Sequence, residues 1–262
     1  MINPNGIESR LKAFTDDNGQ FRILYVPHGE REVIVRKAIN EDYKYIELRE
    51  EIIFSEIEQR IDFVMEKISL RGSLVDIRDG QEYPYRTIGD QTWMVINLAY
   101  LPEVNPPSEM SDTKPYYYVY GYLGTDTAEA KGLEKYRNYG VLYNWQAAKR
   151  SCPLGWHLPD KGEWYRLVHE LWPEPSHKMR TSSGWLNDSN ARNSSGFSAM
   201  PGGKLDDKGK FSGFGSEANF YTSELYASTI AWNSSLYSAN PSVWIRNSPI
   251  KTGFSVRCMR NK

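Results

Sequence analysis

Hydrophobic and polar residues alternate in short runs near the start of the chain. Residues 21–26 and 32–36 both alternate in this way, and a proline, a histidine and a glycine separate them at 27–29. A period of two indicates strands with one buried face, and the residues between them favour a turn. Residues 57–65 fit either a helix or a strand, and we interpret them as a strand. The pattern predicts an antiparallel β-meander at this end of the chain.

Helical periodicity appears in the middle of the chain. Residues 139–149 carry apolar side chains at helical spacing and stop before Pro153, and a second helical pattern follows Pro159. Asp160 can cap that second helix, and Glu163 stands three residues later, which is the spacing of a capping box. Strand patterns occupy residues 79–83, 87–94 and 231–257, and a loop-rich stretch occupies 181–219. Helices flanked by strands predict an α+β class for this part of the chain.

Composition changes near residue 70. Residues 1–70 carry 10 Lys and Arg against 14 Asp and Glu, whereas residues 71–262 carry 22 against 19. All eight tryptophans lie at or after Trp93. A chain of 262 residues is long enough for two ordinary domains, so we predict the domains 1–70 and 71–262.

Charge and cysteine content exclude several classes of protein. The net charge of −1 predicts no general attraction to nucleic acid, and no apolar run is long enough for a transmembrane helix. The first residues lack the basic and apolar segments of a signal peptide, which taken alone suggests the cytoplasm. The spacing of Cys152 and Cys258 allows either one disulfide or two buried thiols, but two cysteines do not make the usual four-ligand zinc site.

The first segment carries an ordered series of turn and strand residues. A turn leading to a phenylalanine occupies residues 15–21, a Pro-x-Gly turn occupies 26–30, and two tyrosines flank Lys44. This order resembles the carboxypeptidase regulatory-like domain, a transthyretin-like β-sandwich, over residues 7–68. The resemblance implies a small all-β sandwich whose opening strand lies upstream of residue 7. We therefore expect the chain to begin inside a longer gene product, in which case the missing signal peptide says little about the compartment.

Long motifs follow in the second segment. They include Cys-Pro-x-Gly-Trp-His-Leu-Pro and Gly-Phe-Ser-Val-Arg-Cys, and they occupy residues 79–83, 88–98, 139–148, 152–164, 196–203 and 253–258. Together they are similar to the Fibrobacter succinogenes major paralogous domain family over residues 73–262. The resemblance implies an α+β C-type-lectin-like domain and a secreted or lipoprotein setting, but no particular activity.

The lectin-like resemblance gives the two cysteines a role. In that fold a cysteine after the first helix pairs with one in the final strand, and Cys152 and Cys258 occupy those places. The implied disulfide closes a loop of about 105 residues, which contributes on the order of 4 kcal/mol in the chain-entropy model. Related domains often carry a further cysteine pair before the Tyr-Gly motif, where this chain has none. We expect packing of the tyrosines within residues 116–137 to hold that segment instead.

The residues that could support catalysis have structural explanations. His157 has no second histidine or cysteine at metal-binding spacing, so we interpret it as a hydrogen-bonded structural histidine. Glu163 shares its Leu-Pro-x-x-x-Glu-Trp context with formylglycine-generating enzymes, which have a lectin-like fold but need a reactive cysteine pair. We therefore predict no catalytic residue and keep an oxidoreductase of that kind as the alternative.

The acidic residues do not match known metal sites. Sugar-binding C-type lectins hold calcium through Glu-Pro-Asn or Gln-Pro-Asp and a late Trp-Asn-Asp, which residues 174–176 and 185–188 do not reproduce. Asp206 and Asp207 fit a hairpin turn better than a cation site, because calcium needs more converging oxygens. We predict no metal and no cofactor.

Residues 225–247 have the composition of a binding surface. Trp, Tyr, Ser and Asn dominate there, and residues 225–262 contain five Lys and Arg but no acid. Aromatic rings give contact area with little entropic loss, while Ser and Asn adapt their hydrogen bonds, and the same set suits sugar rings. Trp232 and Trp244 each fit the core of alternating strands. The candidate ligand-binding residues are Tyr226, Asn233, Tyr237, Asn240, Arg246 and Asn247.

These features predict a non-enzymatic recognition or adhesion protein of the cell envelope or the extracellular space. It would bind a protein or a glycan through residues 225–247, whose composition also resembles the variable regions of lectin-like domains that retroelements diversify. A structural subunit of a surface assembly is a further alternative, and it predicts stable oligomers without a ligand. The ligand itself is not named by the sequence.

Overall fold

The chain forms two compact units, and each is described by itself. The computed structural model describes residues 29–35, 43–45, 48–54, 67–187 and 190–261. Contacts divide the chain into Met1–Leu70 and Arg71–Lys262. The strands predicted at 21–26 and 57–65 lie outside the described residues, as do most of the turn residues that carry the carboxypeptidase regulatory-like resemblance.

Antiparallel strand pairs make up the described part of the first unit. β1 (Gly29–Val35) pairs with β3 (Leu48–Phe54), and β2 (Tyr43–Tyr45) pairs with β4 (Lys67–Ser69). The register of the first pair is unbroken along β1. Most of the strand predicted at 32–36 therefore lies in β1.

Two five-stranded sheets organise the second unit. In spatial order, the first sheet consists of β10 (Trp156–His157), β16 (Met259–Arg260), β7 (Gln91–Met94), β6 (Glu82–Ile88) and β5 (Arg71–Val75). The second sheet consists of β12 (Phe211–Phe214), β11 (Gly202–Leu205), β13 (Glu217–Ala227), β14 (Ile230–Tyr237) and β15 (Val243–Pro249). A separate short pair joins β8 (Tyr117–Tyr118) to β9 (Leu142–Tyr143). Neighbouring strands are antiparallel except β11 and β13.

Short helices connect the strands of the second unit. They are α1 (Thr127–Gly132), α2 (Glu134–Tyr139), α3 (Trp145–Ser151), α4 (Lys161–Glu170) and α5 (Pro175–Met179). The second unit is thus rich in β structure with few helices, which is compatible with the predicted α+β class.

The predicted capping box starts α4. The Glu163 backbone N–H donates to Asp160 Oδ1 at 2.6 Å, and the Asp160 backbone N–H donates to Glu163 Oε2 at 2.9 Å. These bonds satisfy backbone groups that a helix otherwise leaves unpaired at its first turn. The helix predicted after Pro159 is therefore confirmed.

The single helix predicted over residues 139–149 is wrong. The structure ends α2 at Tyr139, forms β9, and begins α3 after Asn144, whose side chain accepts a hydrogen bond from the Ala147 backbone. Gly140 explains the break, because its φ is +71° and a Cβ there would lie 2.6 Å from the Leu98 carbonyl oxygen. Only glycine tolerates this backbone and this close approach.

An aromatic cluster fills the core beside α4. Trp93 and Trp164 are fully buried with ring centroids 5.0 Å apart. Phe197 packs edge-on against both, and Phe220 stacks on Trp164 at 5.5 Å. Tilted and edge-on aromatic pairs add to the free energy gained by burial. The cluster therefore joins β7, α4 and one face of β13.

A disulfide bond joins Cys152 to Cys258, as the lectin-like resemblance implied. Cys152 is the residue that ends α3, and Cys258 directly precedes β16. Because Cys258 is fully buried, the bond ties the end of α3 to the core beside the last strand.

Tyrosines hold the segment before α1. Tyr117 packs edge-on against Tyr143 with 5.7 Å between ring centroids, and the Tyr118 hydroxyl donates to the Glu109 carbonyl at 2.8 Å. The Tyr122 hydroxyl donates to the Glu129 carboxylate at 2.7 Å. These contacts are the packing that the sequence predicts for a segment without cysteines.

Candidate ligand-binding surface

The candidate residues lie on the last strands of the second sheet. β13 and β14 meet at an exposed tip, residues 224–229, and β15 forms an edge of the sheet. The Tyr221 hydroxyl lies 3.0 Å from the Pro249 carbonyl and 2.8 Å from the Thr252 carbonyl, which anchors the end of β15. Burial raises the pKa of Tyr221 well above its ordinary value, so the hydroxyl stays a donor.

Strand register places the candidate residues on two opposite faces. Asn233 lies opposite Arg246, and Trp232 lies opposite Asn247, in a register without breaks between β14 and β15. Residues directly opposite each other point to the same side of a sheet, and consecutive residues point to opposite sides. Arg246 and Asn247 therefore face away from each other.

One face carries Tyr237, Trp244 and Arg246, which we call the arginine–aromatic face. The Arg246 guanidinium lies 4.9 Å from the Trp244 ring centroid and 5.3 Å from that of Tyr237. Both distances fit a cation–π contact. Two residues of this face, Tyr237 and Arg246, were candidates from the sequence, and the structure brings them together.

The assignment of Trp244 to the core is wrong. Its side chain is 43% exposed, whereas its neighbours Val243 and Ile245 pack against the aromatic core cluster. Because alternate residues of a strand face opposite sides, the two aliphatic residues take the buried side. Trp244 is thereby turned to the arginine–aromatic face.

The assignment of Asn233 to the surface is also wrong. Its side chain is 2% exposed. The Asn233 amide donates to the Ser235 hydroxyl at 2.9 Å and accepts from the Ser248 hydroxyl at 3.0 Å. Buried amides need such partners, so Asn233 is committed to the interior of the sheet.

The hydrogen bonds of Asn233 are part of a polar row across the sheet. The Ser235 hydroxyl donates to Asn219 Oδ1 at 2.7 Å, and the Asn219 amide donates to Glu217 Oε2 at 3.1 Å. Lys204 Nζ completes the row, 3.0 Å from the same carboxylate oxygen. Sequence reasoning missed this row, although the polar residues at 217, 219, 233 and 235 are spaced by two. The row links the strands on the side of the sheet that carries the arginine–aromatic face.

The opposite face carries a second aromatic group at the exposed tip. The Tyr226 and Trp232 rings meet edge-on at 5.1 Å, and Lys161 Nζ lies 4.3 Å from the Trp232 ring centroid. Tyr226 is 58% exposed, and Asn247 is exposed opposite Trp232. Tyr226 and Asn247 therefore belong to a surface separate from Tyr237 and Arg246.

Asn240 lies in the turn between β14 and β15. Its side-chain oxygen accepts from the Ser242 backbone N–H at 2.9 Å, and its own N–H donates to the Tyr237 carbonyl at 3.2 Å. An asparagine that bonds to the backbone two residues on stabilises a turn. Asn240 thus shapes the loop beside Tyr237 and keeps its side-chain N–H₂ group for other partners.

The arginine–aromatic face is positively charged. Within the described ranges, no carboxylate lies within ion-pair distance of Arg246, and no hydrogen bond from its guanidinium is found. Residues 225–262 contain no acid at all. The face can therefore attract and bind an acceptor group from outside the chain.

His157 and Glu163 form a second polar contact, at the start of α4. His157 Nε2 lies 3.0 Å from Glu163 Oε2, and His157 Nδ1 lies 2.7 Å from Asn261 Oδ1. The predicted hydrogen-bonded histidine is confirmed, and its partner Asn261 was missed because it is distant in sequence. Both cysteines are in the disulfide, so neither offers a free thiol beside this pair.

Arg257 is a buried cation that sequence reasoning did not single out. Its guanidinium donates to the Met94 carbonyl at 3.0 Å, to Asn97 Oδ1 at 2.8 Å, and to the Phe197 carbonyl. Burial lowers the pKa of Arg257 to about 9, so the group remains protonated at neutral pH. The contacts connect the segment after β7 to the loop that carries Phe197.

The described residues contain neither a metal-binding cluster nor a membrane-spanning helix. No group of three His, Cys, Asp or Glu side chains in that part of the chain could hold a metal ion. None of the helices found there has the length and apolar character needed to cross a membrane.

A comparison with protein families identifies the chain. The model described as the Fibrobacter succinogenes major domain matches residues 87–260, which is more than half of the chain. No curated protein and no solved structure matches the chain. The matched residues contain the disulfide, the capping box and both faces of the last strands. The chain therefore belongs to the Fibrobacter succinogenes major domain family.

Proposed function

We propose that the second unit is a non-enzymatic recognition module that binds a protein or a glycan through its arginine–aromatic face. The proposal includes a C-type-lectin-like arrangement of this unit and a location in the cell envelope or outside the cell. The first unit would be a carboxypeptidase regulatory-like β-sandwich that acts as a spacer or docking module.

The observation that carries this proposal is the environment of Arg246. Two aromatic rings hold its guanidinium, while no described carboxylate neutralises it. Arginine and the large aromatic residues are the side chains that most often dominate binding energy. The polar row, on the same side of the sheet, links the strands, so the face is preorganised and loses little entropy when it binds.

The oxidoreductase alternative needs an activated cysteine, and both cysteines of the chain are in one disulfide. It would regain support only if the bond were reduced in the functional protein. A structural subunit of a surface assembly would instead form stable oligomers without a ligand. Binding measurements separate recognition from the structural subunit, and a count of free thiols tests the oxidoreductase.

Binding of the labelled full chain to a printed glycan panel and to intact bacterial cells tests the proposal. We expect Tyr237→Ala and Arg246→Ala to weaken binding by about tenfold each, since central aromatic and arginine contacts contribute on this order. Leu154→Ser is the control, because Leu154 is 92% exposed and far from the face in sequence. Unchanged binding by both variants would contradict the proposal, and stable oligomers without any binding would favour the structural subunit.

A further inference from the structure

The contacts of Arg246 leave its hydrogen-bonding edge available. Trp244 and Tyr237 lie within cation–π distance of the guanidinium carbon. The guanidinium carries its N–H donors in its own plane. In the described part of the chain these donors have no acceptor. A planar fork of this kind matches the two oxygens of a carboxylate.

Charge selects the class of ligand. Arg246 is exposed on a segment without acids, and no described carboxylate competes for it. A neutral ligand would leave the positive charge unbalanced, while an anionic ligand gains from it directly. The ligand should therefore carry a carboxylate close to a group that can rest against Trp244.

The shape of the surface favours a sugar over a peptide. Tyr237, Trp244 and Arg246 lie on the face of the sheet, whereas an extended peptide would add to the edge of β15. That edge ends at Pro249, which has no N–H to offer a new strand. A pyranose ring instead presents C–H groups that pack against an aromatic side chain, with polar substituents around its rim.

We infer that the arginine–aromatic face binds a uronic acid residue of an acidic polysaccharide, with Arg246 holding the carboxylate and Trp244 contacting the sugar ring. This inference rests on the proposed function and specifies its ligand.

The test measures binding of the full chain to polygalacturonate, with linear galactan as the matched neutral polymer. We expect binding of polygalacturonate that weakens as salt is raised, and weaker or no binding of galactan. Arg246→Gln should weaken polygalacturonate binding by about tenfold, and Arg246→Lys should restore only part of it, because lysine keeps the charge but not the planar fork.

Arg260→Gln is the matched control for the loss of one positive charge. Arg260 is also exposed and also lies over a tyrosine and a tryptophan, 4.3 Å from the Tyr85 ring centroid and 5.5 Å from that of Trp156, but on the first sheet. We expect this variant to bind like the unmodified chain. Equal losses in Arg246→Gln and Arg260→Gln would mean unspecific charge attraction and would overturn the inference.

Other results would also overturn the inference, and they differ in what they mean for the proposed function. Binding of galactan that needs Trp244 but not Arg246 would reject the acidic sugar and keep the recognition face. Equally tight binding of poly-L-glutamate would assign the face to acidic peptides. No binding of polygalacturonate at saturating polymer concentration would reject the inference outright, and the glycan panel and cells would then decide the proposed function separately.

Discussion

Arg257 shows how a single buried side chain can connect distant segments. It supplies donors to the Met94 and Phe197 carbonyls and to Asn97, and it lies 4.5 Å from the Phe197 ring centroid. Replacing it with leucine would remove the buried charge but leave these carbonyls without partners. An unsatisfied buried acceptor costs more free energy than a missing exposed hydrogen bond. The stability lost by leaving these acceptors unpaired should therefore exceed the stability gained by removing the buried charge.

We therefore expect Arg257→Leu to lower the free energy of unfolding of the second unit by about 3 kcal/mol. Urea denaturation followed by tryptophan fluorescence measures the change. Lys208→Leu is the control, because Lys208 is exposed and its described hydrogen bond is made by its backbone N–H, and we expect a change within about 0.5 kcal/mol. Equal destabilisation by the two variants would contradict a special role for the buried group.

The direction of single side chains was the part that sequence predicted least well. In the last strands, alternation established that neighbours point to opposite faces, but not which face the core covers. Here one face packs Val243 and Ile245 against aromatic rings, and the other buries the polar side chain of Asn233. Hydrophobicity therefore predicted the wrong exposure for both residues, since Asn233 is buried and Trp244 is exposed. The register of β14 with β15 shows that Arg246 shares its side of the sheet with Asn233, and Asn247 shares the other side with Trp232.

Among the helices, α4 depends on its first turn. Asp160 and Glu163 exchange hydrogen bonds through the capping box, and Glu163 also bonds to His157. Asp160→Ala should lower the free energy of unfolding by about 1 kcal/mol, the usual effect of losing a capping side chain. Glu170→Ala, in the last turn of the same helix, removes a carboxylate from the end where it is unfavourable and should not destabilise. Thermal unfolding of both variants compares the two ends of α4. A larger decrease in thermal stability for Glu170→Ala than for Asp160→Ala would contradict the assigned cap.

The capping box was predicted correctly, but two elements predicted as continuous are divided: a turn at Gly89 and Asp90 splits the strand predicted at 87–94, and Gly140 splits the predicted helix. The capping box of α4 needs only residues within one turn, so the local sequence was sufficient to predict it. The break at Gly140 depends on the Leu98 carbonyl, which is far away along the chain. The apolar residues around Gly140 therefore fit one continuous helix when only the sequence is considered.

In the second unit as a whole, the Cys152–Cys258 disulfide joins residues 106 positions apart. Such a crosslink restricts the unfolded chain far more than the folded one, which on the chain-entropy account stabilises by about 4 kcal/mol. We expect the double variant Cys152→Ala and Cys258→Ala to melt about 10 °C lower than the unmodified protein produced under oxidising conditions. Differential scanning calorimetry measures this shift.

Reduction provides the internal control for the disulfide. A thiol reductant should lower the melting temperature of the unmodified protein towards that of the double variant, and it should leave the variant unchanged. Thiol titration of the denatured, unreduced protein should find no free cysteine. Two free thiols in that titration, with one reacting quickly in the native protein, would mean that the bond is not the resting state. Because an activated cysteine is what the oxidoreductase alternative requires, that result would also move the function from recognition towards cysteine chemistry.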